Sequence, residues 1–378
     1  MITLYWDKPS RVPNGIVYRV VLDGELVRET GKIYCIIENL KENQEDEKMS
    51  EFKICLIGCG GMTKSGHGPS CKKYAEEHED TILAACCDLD IEKAEYACEN
   101  FGFRRAYTDF IEMVDKEHPD VVLAITPVKI TERISVALLE RKIPVLLEKP
   151  PGMDAEQNMR IHEAAIRNNT PARVAFNRRY TPLVQALKEE IKAAGAQLLD
   201  INCMFVRVNR KDADFSTTAI HGIDTVKYIA DSEYADAKFY YHDMCVADKK
   251  VTNIQMSAVM ENGASASLTF LPCGGCVVER ITVTLTGYTF FLYLPVWGGA
   301  DAPGELVCFK EKKVYKRISG DDLVKQYTLH ESNGFYAESQ VFFDELRAGK
   351  RPKSDVISGK SSVEIARCIR TRQNYYSR

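Results

Sequence analysis

Lys149 ends the apolar run "IPVLLEK" and is followed by two prolines, Pro150 and Pro151. Proline supplies no ladder donor, so the strand stops there. The lysine ammonium, with Glu148 beside it, is thereby held at the carboxyl end of a strand, where open parallel sheets bind ligands. A cation so placed stabilises a developing alkoxide in an oxidation or polarises a carbonyl in a reduction; the bland alternative is a surface charge. A second group stands in "AIHGIDTVKY". On a helix His221, Asp224 and Tyr228 share one face, while Ile220 and Ile223 turn toward a core. Imidazole titrates near neutrality and a neighbouring carboxylate orients it, which is the pattern of a general base; a structural histidine is the alternative. "FNRRYTP" adds Asn177, Arg178 and Tyr180, suited to binding hydroxyls or a carboxylate, or to interdomain salt bridging.

The stretch "CLIGCGGMT" supplies Gly58, Gly60, Gly61 and Met62, then Thr63 where a third glycine or alanine is usual. Glycines there permit a tight turn and close backbone approach to a pyrophosphate at the following helix's N-terminus. The next strand run, "TILAACCD", ends in Asp88. A carboxylate at that point accepts both ribose hydroxyls of an adenosine and repels a 2'-phosphate, so NAD is favoured over NADP. Asp90 is the alternative carboxylate, and a helix cap is the bland reading of either.

The elements that must position these groups follow from periodicity. The runs "FKICLIG", "TILAACCD", "VVLAIT", "PVLLE" and "ARVAF" are apolar on both faces and alternate with amphipathic stretches, which predicts a doubly wound parallel sheet over 49–173. In "EKAEYACENFG" Ala94, Ala97, Cys98 and Phe101 fall at helical spacing and Gly102 ends the helix. Residues 174–378 begin with a helix and continue in long alternating runs, with Asn262-Gly263 as a hairpin turn. They predict an α+β substrate-binding and oligomerisation domain: a mostly antiparallel sheet covered on one face by helices around 219–230, 334–348 and 360–372. Ahead of both, residues 1–48 read as three strand runs with Asp23-Gly24 as a hairpin turn and a polar linker; the runs resemble the middle of a fibronectin type III module.

Composition narrows the class. With 378 residues, 45% hydrophobic and 28% charged, the chain is ordinary for a globular protein of two or three domains. A formal net charge of -4 gives no electrostatic case for nucleic acid or an anionic membrane as partner. The N-terminus lacks the pattern of a signal peptide and no run approaches a spanning helix, so a cytoplasmic location is expected. Thirteen cysteines scattered through strand runs suit reduced thiols, and the lone pair Cys273 and Cys276 in "LPCGGC" reads as a Gly-Gly turn; no metal site is expected.

Taken in order, "IGCGGM", "CCD", "AITP", "LLEKP", "FNRRY" and "AIHGID" resemble the glucose-fructose oxidoreductase and inositol dehydrogenase family (Gfo/Idh/MocA) over residues 52 to 372. The resemblance implies NAD(P)-dependent hydride transfer to or from a sugar, polyol or sugar acid. It makes Lys149 the catalytic lysine, with a cis Lys149–Pro150 bond suggested, and His221 the proton acceptor; Thr126, Pro127 and Glu148 take the cofactor's ribose and nicotinamide side. It also implies a homodimer or homotetramer built through the open face of the antiparallel sheet. Two positions depart from the family pattern: Thr217 stands where an aspartate is common, with Asp212, Asp214 and Asp224 as possible substitutes, and Thr131 stands where a histidine often follows "TP". Two other readings stay open, an NAD-using glycosidase, lyase or epimerase with internal redox cycling, and a cofactor-binding scaffold.

Overall fold

The computed structural model describes residues 18–22, 25–30, 51–212, 214–324, 328–351 and 356–378. Contacts divide the chain into two units between Glu51 and Phe52. In the first, strands β1 (Tyr18–Leu22) and β2 (Glu25–Thr30) pair antiparallel, as expected for a hairpin. Asp23-Gly24 and the expected strands to either side lie outside the described residues.

The second unit opens with β3 (Phe52–Ile57), a π turn at Thr63–His67 and helix α1 (Gly68–Glu77). Strands and helices then alternate: β4 (Thr81–Cys87), α2 (Ile91–Phe101), β5 (Arg105–Tyr107), α3 (Phe110–Glu117), β6 (Val121–Ala124), α4 (Val128–Glu140), β7 (Val145–Leu147), α5 (Ala155–Arg167) and β8 (Ala172–Val174). Strand β5 is absent from the expected runs because three half-exposed residues, "RAY", carry no readable period. The six strands lie parallel in the order β5-β4-β3-β6-β7-β8. The order reverses at β3 and β6, so a crevice opens beyond their carboxyl ends, between the glycine loop and "AITP". Helix α2 ends at Gly102 in the left-handed conformation, and Asp90 caps its start by accepting from Glu92 N–H.

Helix α6 (Pro182–Ala194) leads to β9 (Leu198–Val206), α7 (Ser216–Ala230), β10 (Tyr234–Val246), β11 (Lys249–Met260), β12 (Ser265–Leu271), β13 (Val278–Leu285), β14 (Tyr288–Leu294), β15 (Glu305–Lys310) and β16 (Lys313–Ser319), then α8 (Phe335–Arg347), α9 (Lys360–Arg370) and β17 (Tyr375–Ser377). The strands form a nine-stranded sheet, order β16-β15-β14-β13-β9-β12-β11-β10-β17, antiparallel except for β9 with β12. The β11–β12 turn holds Gly263 at φ 85, as Asn262-Gly263 predicts. Leu183 and Leu187 of α6, Ile223 and Val226 of α7, and Ile365 and Ile369 of α9 bury the inner face.

One expected helix covers a different surface. Tyr336, Phe342 and Phe343 of α8 pack with Phe52, Leu56 and Tyr74 of the parallel-sheet domain rather than on the antiparallel sheet. Helix α7 bridges both halves, since Ile220 joins the parallel-sheet core while Ala219 and Ile223 join the other.

Candidate active site

A cavity of about 920 Å³ opens where the parallel sheet reverses order. Its lining contains Gly58, Gly60, Gly61, Met62, Asp88, Thr126, Pro127, Glu148, Lys149 and Thr217. Every residue expected from the sequence to hold a cofactor thus reaches one space.

Backbone geometry explains the glycines. Gly58 sits at φ 92, and a Cβ there would lie 2.1 Å from the Ile125 carbonyl oxygen, so no side chain fits. At Gly60 and Gly61 a Cβ would meet nothing within 4 Å, leaving backbone open to the cavity. Lys64 N–H donates to Gly60 O at 3.0 Å, so the helix begins here and its first N–H groups lack intrahelical partners. That cradle fits a dinucleotide pyrophosphate. Thr63, in place of the usual small residue, is fully buried and donates its hydroxyl to Gly58 O at 2.5 Å. The tight positions have moved onward: a Cβ at Gly66 would meet the Phe335 ring at 2.9 Å, and one at Gly68 the Phe101 ring at 2.5 Å.

Asp88 and Asp90 separate cleanly. Asp88 accepts from Cys59 N–H at 2.8 Å and Asp90 N–H at 3.0 Å, which aims its carboxylate along the cavity wall. Asp90 caps α2 and pairs with Lys93 at 3.1 Å. On the other wall Thr131 hydroxyl lies 3.1 Å from that of Thr126 and 3.2 Å from Pro127 O. The threonine at the family's histidine position therefore braces the "TP" turn.

The Lys149–Pro150 peptide is cis. Lys149 Nζ donates to Thr217 O at 3.1 Å, so the ammonium faces the first turn of α7. Burial pushes its pKa down and Arg178 and Arg210 push the same way, against the opposing pull of Glu148 and Glu279. One turn along α7, His221 is 9% exposed and its Nδ1 has no partner. Burial, then Lys149, Arg178 and Arg207, drive its pKa well below the ordinary histidine value, so the imidazole is neutral at physiological pH. A neutral imidazole one helical turn from the carbonyl that holds the ammonium supplies a base and a cation that can take a proton from a hydroxyl and stabilise the resulting oxyanion.

Four expected site residues do other work. Asp224 does not orient His221: its carboxylate accepts from Arg179 Nε at 2.7 Å and Nη2 at 2.6 Å, and from Ser362 at 3.1 Å. Asn177 donates to Asn333 O at 2.8 Å, and Arg178 lies on Glu279 at 2.8 and 3.1 Å with a further bond to Asn177. A buried charge needs such a partner, and the salt-bridging alternative accounts for Arg178. Arg207 also bonds Glu279, whose carboxyl both guanidiniums hold below the usual carboxylate range despite burial. Tyr180 is mostly buried, with the Arg173 guanidinium over its ring. Thr217 contributes its carbonyl to Lys149 and its hydroxyl to Asp214 O at 3.4 Å.

Sequence reading missed His67. It is fully buried at the end of the π turn, and its Nε2 lies 3.1 Å from Glu148 Oε1. Its partner is 81 positions away, so no local pattern announces the pair. Glu279 escaped for the same reason, 101 positions from Arg178.

Residues 52–176 match the family described as an oxidoreductase family with an NAD-binding Rossmann fold (GFO_IDH_MocA). Inositol 2-dehydrogenase 4 of Saccharopolyspora erythraea is 28% identical over 191 residues, 48% of this chain and 55% of that enzyme. The chain thus spans about half the length of that relative. Inositol 2-dehydrogenase of Salmonella typhimurium is 23% identical over 310 residues, covering 80% of this chain and 88% of that one. An oxidoreductase domain protein from Kribbella flavida shares the fold, with TM-score 0.75 and 14% identity over 87% of this chain and 99% of that chain.

Proposed function

We propose that this chain, whose residues 52–176 match the Gfo/Idh/MocA oxidoreductase family, is an NAD-dependent dehydrogenase acting on a CH–OH group of a polyol, sugar or sugar acid. When bound, the nicotinamide supplies the hydride acceptor or donor. Residues of the cavity do the rest, with His221 one helical turn from its lining residue Thr217. Backbone N–H groups after Gly60 hold the pyrophosphate, Asp88 takes the ribose hydroxyls, and the Thr126-Pro127 turn backs the nicotinamide side. His221, kept neutral, accepts the substrate hydroxyl proton. Lys149, kept charged by Glu148, stabilises the alkoxide that forms.

The carrying observation is the placement of Lys149, which lines the cavity and donates to the first turn of the helix that bears His221. Relatives named inositol 2-dehydrogenase favour net oxidation over an internal redox cycle. We further propose a cytoplasmic homo-oligomer paired through the outer face of the nine-stranded sheet. The test is nicotinamide absorbance over time with NAD and a panel of inositols, hexoses and hexuronic acids. Lys149→Ala is expected to lower turnover by about 100-fold or more while NADH binding changes little. Full activity in that variant removes the mechanism. Turnover without any net absorbance change restores the internal redox cycle.

A further inference from the structure

We propose that His67 is a positioning residue for Lys149 and acts through Glu148; the catalytic part of this statement rests on the function proposed above. The π turn Thr63–His67 carries one more residue per turn than an α-helix, and such turns recur at functional sites. Here it brings His67 inside, behind the glycine loop, with its ring edge-to-face on Phe335 at 5.1 Å. Nδ1 is buried without a partner. Nε2, the ring nitrogen that has one, lies 3.1 Å from Glu148 Oε1, where an N–H on it donates to the carboxylate. Glu148 Oε2 accepts from Lys149 N–H at 3.0 Å. One carboxylate thus joins the glycine-loop helix to the residue that carries the ammonium.

The charge consequence follows from what faces each group. Glu148 is faced by His67 and Lys149, and by Glu338 of α8, whose carboxyl burial and Glu148 itself push well up, so that it is neutral. Burial works to raise Glu148's pKa, but His67 and Lys149 outweigh it and keep the carboxylate ionised. Lys149 is faced by Glu148 and Glu279, which favour its charge, by Arg178 and Arg210, which oppose it, and by neutral His221. Removing the donor on Glu148 releases the carboxylate that sits next to Lys149, and burial with two guanidiniums then governs the ammonium.

The experiment compares His67→Leu, His67→Gln and Glu148→Gln with wild type in two readouts. One is the alkaline limb of kcat/KM against pH. The other is the pH dependence of Lys149 acetylation by acetic anhydride, read by peptide mass spectrometry, which needs no turnover. Glu148→Gln is expected to lower the apparent pKa of Lys149 by about one to three units, the usual effect of losing an adjacent opposite charge. His67→Leu should move it the same way, and His67→Gln, which keeps a donor nitrogen, should restore most of it. A His67→Leu protein with wild-type labelling and limb, merely less stable, overturns the inference. Should that variant fail to fold, an unchanged profile in Glu148→Gln overturns it equally. A wild type with no hydride transfer on any panel member ends the dehydrogenase reading instead, and the labelling comparison still decides the role of His67.

Discussion

At the scale of single residues, the site is a pair of groups whose pKa values are both displaced downward. His221 is pushed far below its ordinary value by burial and nearby cations, so its basic form survives well into acid. Lys149 is pushed below the ordinary lysine value, so its cationic form is lost earlier as pH rises. The mechanism we propose requires neutral His221 and charged Lys149. Activity should therefore be lost on the acid side only well below pH 6.5 and on the alkaline side below pH 10.5, giving a bell measured as kcat/KM from pH 4 to pH 11. An acid limb at or above pH 6.5 would mean that His221 is not the base. Asp88 carries a separate prediction. Two backbone N–H groups aim its carboxylate, and Lys93 lines the same cavity. If Asp88 holds the ribose as proposed, Asp88→Ala removes charged hydrogen bonds worth about 1.5–3 kcal/mol each. The ratio of kcat/KM for NAD to that for NADP should fall at least tenfold, and an unchanged ratio would place cofactor choice elsewhere.

At the scale of elements, the glycine loop shows which parts of the site the sequence makes legible and which it hides. Gly58, Gly60 and Asp88 are legible because a turn with no room for a Cβ, a loop whose backbone opens to the cavity, and a carboxylate at a strand end leave local marks at fixed spacing. Gly58→Ala tests that turn: a left-handed φ and a carbonyl oxygen 2.1 Å from the new Cβ force β3 away from β6. NADH binding by titration should weaken by at least tenfold and the thermal midpoint should fall by several degrees; wild-type binding would show that the loop relaxes freely. Thr63 looked like a weakness of the motif, yet its hydroxyl closes the turn while Gly66 and Gly68 accept the close packing. What stayed hidden depends on partners far apart in the chain. Asp224 shares a helix face with His221, as periodicity required, but Arg179 takes it. Arg178 stands between β8 and α6 and is held by Glu279 from β13. Helix α8 shows the same limit, because amphipathicity announces a buried face without naming the surface that buries it.

At the scale of the whole molecule, the two layers differ in how many faces they cover. Helices lie on both sides of the parallel sheet, but the antiparallel sheet has its helices on one side, where Ile201, Leu268, Val283 and Leu292 are buried. Its other face alternates in the way a one-sided sheet must, with Asn202 and Gln255 exposed. Toward β14 and β15 the alternation breaks down. Phe291 and Phe309 pack edge-to-face at 5.5 Å on that side, with Val307 directly across from Phe291 and Tyr293 two residues along β14. Side chains of this kind, grouped on an open face, need a covering surface, and a second copy of the same face supplies one symmetrically. The argument gives a definite outcome for Phe291→Glu. On the proposed pairing, a carboxylate in this patch faces the partner's copy of it and loses its hydration, so sedimentation equilibrium should report a smaller assembly than wild type. Within each protomer the same side chain is only half-buried and does not line the cavity, so NADH affinity should stay within about twofold. If the variant keeps its wild-type mass, this face is not the interface, and the aromatic pair serves only to stiffen the β14–β15 edge.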